Sequence, residues 1–171
     1  SPDEPSILEP LLHADVIFFG PGSPTYAVRQ LRGSLAWQMI RARHSLGAAI
    51  VMASAATIAI SAQSLPVYEI YKVGQDIHWQ PGLNFFASHN LDLVFVPHWD
   101  NSEGGAELDT SRCWMGLDRF ARLRYMLPSR ATIVGIDEHT ALLMDCQSGL
   151  CRVMGRGGVS ILGGDTEARW T

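Results

Sequence analysis

Ser54 directly follows the apolar run at residues 48–53 (AAIVMA) and has Ala53, Ala55 and Ala56 around it. A serine held on a sharp turn between a buried strand and a helix exposes its hydroxyl, and small neighbours let the chain fold tightly there. The first backbone N–H groups of the following helix, at the positive end of its dipole, suit a developing oxyanion. The bland reading of the same pattern is a serine that only caps a helix. His98 follows a second apolar run, residues 91–96 (LDLVFV), and Pro97, with Trp99, Asp100 and Asn101 after it. An imidazole at a strand end is placed to act as general base for a serine, although a lone histidine is also an ordinary structural residue.

Two loops add polar content near such strand ends. The Gly20-Pro21-Gly22 turn closes residues 15–19 (DVIFF) and could bring a second N–H donor beside Ser54, or be a tight loop without a ligand. Residues 101–112 (NSEGGAELDTSR) are rich in acids and glycines and read as a binding loop, with Asp109, Thr110 and Ser111 equally readable as helix caps. Arg112 falls in the first turn of an expected helix, against its dipole, which calls for a partner such as a buried acid or a substrate carboxylate. Cys113, next in line, reads as a core cysteine. GPGSPT has too few glycines at the right places for a phosphate-cradling loop, and no metal-ligand spacing occurs, so neither nucleotide nor metal nor any other cofactor is expected.

The elements that must position these groups follow a strand–turn–helix rhythm. Residues 15–19, 48–53, 91–96 and 132–136 read as buried strands. Ser23-Pro24 starts a helix whose apolar positions recur to about Arg43, residues 55–61 a short helix, and residues 109–127 a long one. The tail from Ala141 reads as small antiparallel strands turning at Ser148-Gly149 and Gly157-Gly158. This is the pattern of an α/β domain: a three-layer α/β/α stack with a mainly parallel, flavodoxin-like sheet, forming one domain over residues 1–171. The chain of 171 residues is 47% apolar and 18% charged, long enough for a sizeable core. A net charge of −4 gives no reason to expect nucleic acid or an anionic membrane surface. Three cysteines outside any pairing pattern, and a start without a signal-peptide pattern, favour a reducing, cytoplasmic setting.

Five segments occur together in a recognisable order: ADVIFFGPG, AAIVMASAAT, PHW, RFARL and GIDEHTAL. Over residues 14–162 the chain resembles the serine peptidase family of cyanophycinase and aspartyl dipeptidase, within the class I glutamine amidotransferase-like superfamily. The resemblance implies that Ser54 is the nucleophile, His98 the catalytic histidine, and Gly22 and Ala55 the oxyanion N–H donors. It places Glu138, at the end of the GIDE strand, near the site, and Glu138, Arg112 and Asp100 are read as substrate-binding residues. Its third triad member falls between the serine and the histidine, where Glu69 is the first choice and Asp76 the second. The sequence departs from the family at Ala56, where glycine is usual, at Met52, where a smaller residue is common, and at Trp99, where phenylalanine is usual. Two or three further strand–helix units normally precede the glycine turn, so an absent N-terminal portion or a smaller sheet is expected.

The leading expectation is therefore a serine hydrolase that cleaves a peptide or amide bond, without cofactor, nucleic acid or membrane, and as a homodimer if it follows the family. The alternatives are a binding or regulatory module that keeps the fold without the chemistry, and a glutamine amidotransferase-like enzyme, which would need a cysteine where this chain has Ser54. The distance between the Ser54 hydroxyl and an imidazole nitrogen separates the first two.

Overall fold

The computed structural model describes residues 1–164 and 166–171. A short helix, α1 (Pro5–Leu8), and a 3-10 turn lead into β1 (Val16–Phe19), which pairs in parallel with β2 (Ala49–Met52), Phe19 opposite Met52. Two helices connect them. α2 (Pro24–Leu31) starts at Ser23, whose hydroxyl accepts the Tyr26 N–H, with Pro24 in the first helical position. The chain then breaks at Gly33 (φ 73°) and restarts as α3 (Leu35–Ser45) under a second cap, Ser34 on the Trp37 N–H. The continuous helix expected to about Arg43 is thus two helices. Their shared apolar spacing hid a break set by a left-handed glycine and a new serine cap.

After β2 come α4 (Ala55–Ala59), the two-residue strands β3 (Gln63–Ser64) and β4 (Gln80–Pro81), and between these α5 (Val67–Tyr71). β5 (Leu93–Val96) pairs in parallel with β6 (Thr132–Ile136), Val96 opposite Gly135. β9 (Val159–Gly163) and β10 (Thr166–Trp170) then extend that sheet antiparallel, in the order β10-β9-β6-β5. β7 (Thr140–Met144) and β8 (Cys151–Gly155) form a separate hairpin. The architecture is α/β. The described sheets are small and mixed, parallel at β1–β2 and β5–β6 and antiparallel at β6–β9 and β9–β10.

All four residues of β5 are buried, and their alternation feeds two cores. Val94 and Val96 face Ile58, Leu65, Ile70, Phe120 and Leu123, while Leu93 and Phe95 face Ile17, Trp37, Ile60, Phe86 and Val134. Both faces of this strand are therefore covered, and its C-terminal end is held rigidly between two packed layers.

The helix expected over residues 109–127 runs only over Gly116–Tyr125. Asp109 accepts the Ser111 N–H through Oδ1 and the Leu117 N–H through Oδ2, while Arg112, Cys113 and Trp114 all take left-handed φ values of 56°, 59° and 63°. Three such residues in a row are rare, because each left-handed non-glycine residue costs on the order of 1–2 kcal/mol. Among the described residues no helix is long and apolar enough to cross a membrane.

Candidate active site

Ser54 sits one residue past Ala53, whose N–H closes the β1–β2 pairing on the Phe19 carbonyl, and it opens α4. Its backbone is left-handed in φ (φ 52°, ψ −110°), a conformation that costs about 1–3 kcal/mol and persists only where the surroundings impose it. Here they do. Ala55 and Ala56 are buried, the Ala56 N–H returns to the Ala53 carbonyl, and the Ile58 N–H returns to that of Ser54. Although Ser54 holds the cap position of α4, its side chain makes no capping hydrogen bond. Its Oγ lies 3.0 Å from Nε2 of His98 instead. A serine serving only as a cap would spend its hydroxyl on the helix, so the capping reading does not describe this one.

His98 also has a positive φ (53°), two residues beyond β5. The next residue, Trp99, anchors the loop: its N–H donates to the Ile136 carbonyl, and its buried ring packs edge-on against Phe120. Gly135 of β6 makes room for that ring, since a Cβ there would run into it. Nδ1 of His98 lies 2.8 Å from Oε1 of Glu138, two residues past β6. The same oxygen accepts from the Asn101 amide at 2.8 Å, and the Glu138 N–H donates to Oδ1 of Asp100 at 2.7 Å.

The electrostatics fix the tautomer. The Asn101 hydrogen bond, helped by His98 and opposed by burial, holds the Glu138 carboxyl below its ordinary range, so it is ionised at neutral pH. A carboxylate only accepts, so Nδ1 must carry the proton. Nε2 is then left to accept from the Ser54 hydroxyl, the arrangement a general base needs.

Ser54, Gly22 and Ala55 line one cavity of about 290 Å³, together with Ile58, Val67, Tyr68, Tyr71, Lys72, Glu103, Cys113 and Trp114. Among the described residues neither the Gly22 nor the Ala55 N–H donates to a protein acceptor. A second, larger groove of about 850 Å³ opens on the other side of Ser54, with His98 and Glu138 beside the apolar residues Phe86, Phe95, Ile136 and Met144.

Several expectations move. Glu69 and Asp76 make no hydrogen bond to His98 among the described residues, and the carboxylate at Nδ1 is that of Glu138, which the sequence reading placed at the substrate. The reason is topological: β6 lies beside β5, so its end delivers Glu138 to the imidazole. Arg112 lines neither cavity. Its guanidinium donates to the Trp99 carbonyl at 2.7 Å and lies 4.0 Å above the Trp99 ring, so a carbonyl and an indole face, rather than a carboxylate, receive the cation. Asp100 spends Oδ1 on the Glu138 backbone rather than facing a cavity. Cys113 is buried, and burial pushes its thiol far up, as suits a core cysteine. The sequence reading missed Asn101, which is 2% exposed, and its only signal was adjacency to the His98 loop.

No family model and no curated protein matches the chain. Solved structures do. The crystal structure of a peptidase from an acI-B1 Actinobacterium superposes with a TM-score of 0.76 at 24% identity, over 99% of this chain and 62% of that one. A putative Peptidase E protein from Listeria monocytogenes EGD-e superposes with a TM-score of 0.54 at 14% identity, over 96% of this chain and 63% of its own length. The chain shares its fold with these peptidases and spans less than two thirds of either.

Proposed function

We propose that this chain carries a serine hydrolase site that cleaves a peptide or amide bond through Ser54, His98 and Glu138. The observation that carries the reading is the continuous line from Ser54 Oγ to His98 Nε2 at 3.0 Å and from Nδ1 to Glu138 at 2.8 Å. The peptidase titles of the neighbours that share the fold support an amide bond as the target. The covering of both faces of β5 supports the finer three-layer, glutamine amidotransferase-like arrangement.

Ser54 attacks the scissile carbonyl carbon as its proton passes to Nε2. The resulting imidazolium is stabilised by ionised Glu138, and the carbonyl oxygen becomes an oxyanion facing the Gly22 and Ala55 N–H groups. His98 then protonates the departing amine, leaving an acyl ester on Ser54. Water attacks that ester, giving its proton to His98, and the carboxylic acid leaves as Ser54 regains its hydrogen. Each oxyanion donor of this kind lowers the barrier by about 3–4 kcal/mol. An amidotransferase reading would need a thiol where Ser54 stands.

The test is covalent labelling. A fluorophosphonate is expected to modify the wild-type chain at Ser54, and Ser54→Ala is expected to lose the label entirely while keeping its circular dichroism. Labelling that survives unchanged in that variant rejects Ser54 as nucleophile.

A further inference from the structure

The two hydrogen bonds on His98 leave one freedom unconstrained. Contacts at Nε2 and Nδ1 fix the two nitrogens but leave the plane of the imidazole free to turn about the line through them. The side chain is 26% exposed, so packing is not closed around it on all sides. What meets its face is Trp114, whose ring centroid lies 4.7 Å from that of the imidazole at an interplanar angle of 52°.

Trp114 reaches that position only because the chain turns left-handed over Arg112–Trp114. This turn is over-determined by its hydrogen bonds. The Arg112 N–H donates to the Trp99 carbonyl and the Cys113 N–H to that of His98 itself, both at 3.0 Å. The Trp114 carbonyl in turn accepts from Arg119 at 2.9 Å. The indole is latched at its far edge, where Nε1 donates to Oε2 of Glu103 at 3.1 Å. A conformation this uncommon, tied to the histidine loop through Arg112 and Cys113 and to the following helix through Trp114, is the kind of strain that a site retains when it fixes a reacting group.

We propose that Trp114 is a positioning residue for His98: the left-handed turn holds its indole against the imidazole and keeps the ring aligned between Ser54 and Glu138. The proposal rests on the hydrolase reading and deepens it. Since the same indole lines the smaller cavity beside Ser54, occupancy of that cavity and alignment of the base are coupled through one side chain.

The experiment compares Trp114→Phe, which keeps a flat face, with Trp114→Leu, which keeps apolar volume without one. Fluorophosphonate labelling is expected to slow about tenfold or more in the Leu variant, with an altered pH profile, and only severalfold in the Phe variant, which keeps a flat face but loses the latch on Glu103. Equal rates in the two variants would reduce Trp114 to packing and overturn the proposal. If the Leu variant fails to fold by circular dichroism, Glu103→Ala replaces it, because that exposed carboxylate latches the indole, and Glu103→Gln, which keeps the side chain lining the cavity, controls for the change in cavity wall. Labelling is then expected to slow severalfold, and to slow less in Glu103→Gln, which still accepts from the indole; identical wild-type rates in both contradict the proposal. A wild-type chain that takes no label refutes the hydrolase reading instead. Proton NMR of a Ser54→Ala chain then decides the positioning claim, through the downfield Nδ1–H resonance of His98. Its solvent exchange is expected to quicken with Trp114→Leu and not with Trp114→Phe, and equal exchange in both overturns the claim.

Discussion

At the scale of single residues, the site depends on which proton sits on which nitrogen. Glu138→Gln keeps the volume of the carboxyl but introduces an amide donor toward Nδ1, which favours the tautomer protonated at Nε2. Labelling is expected to fall by about 10²–10⁴-fold with little change in thermal midpoint, because a wrong tautomer removes the base without removing the fold. The acid side follows by linkage. Folding lowers the Glu138 pKa, so its contribution to stability is fully present above the unfolded value of about 4.3 and is lost as pH falls through the lower folded value. A urea titration between neutral and strongly acid pH is expected to show a smaller loss of stability below that value in Glu138→Gln than in wild type. Residue type and position relative to strand ends singled out Ser54 and His98 beside their structural readings, and the five-segment resemblance joined them into one site. They placed the third acid at Glu69 or Asp76 and Glu138 at the substrate, because the acid beside His98 depends on which strand neighbours β5, and strand order leaves no local mark on the chain.

At the scale of elements, the strands were legible because continuous apolar runs ending in glycine, proline or serine are hard to read otherwise, but their burial was not: β5 and most of β6 are buried, whereas Val16, Phe18 and Val51 of β1 and β2 are exposed. The helices were less so. Residues 109–127 carry a helical apolar spacing, yet Asp109 caps a helix that begins only at Gly116, and the intervening residues turn with the opposite hand. Periodicity does not report handedness, and the hydrogen bonds that impose it come from Trp99 and His98 in a distant loop. The fit between Trp99 and β6 is the joint that sets this loop. Gly135→Ala is expected to displace the Trp99 ring, to destabilise the chain by about 1–3 kcal/mol in urea unfolding, and to slow labelling of Ser54 as His98 shifts with its neighbour.

At the scale of the whole molecule, the C-terminal strand is tied to the site. Arg169 of β10 pairs with the Asp137 carboxylate, 2% exposed and next to Glu138, and that carboxylate also accepts the Gly158 N–H at 2.8 Å. Arg169→Ala leaves this carboxylate with less compensation and is expected to lower stability by about 2–3 kcal/mol in urea unfolding, with Arg169→Lys intermediate. The antiparallel strands that the sequence reading assigned to a small tail thus brace the end of β6 from which Glu138 emerges.

Ser54, His98 and Glu138 are separated by 44 and then 40 positions along the chain. The parallel β5–β6 crossover brings His98 to Glu138, and the packing of α4 against β5 brings Ser54 to His98, so the site closes through two long loops rather than any local turn. On the proposed reading, a chain that has not yet delivered the end of β6 lacks the carboxylate at Nδ1 and leaves the Ser54 hydroxyl without an oriented base.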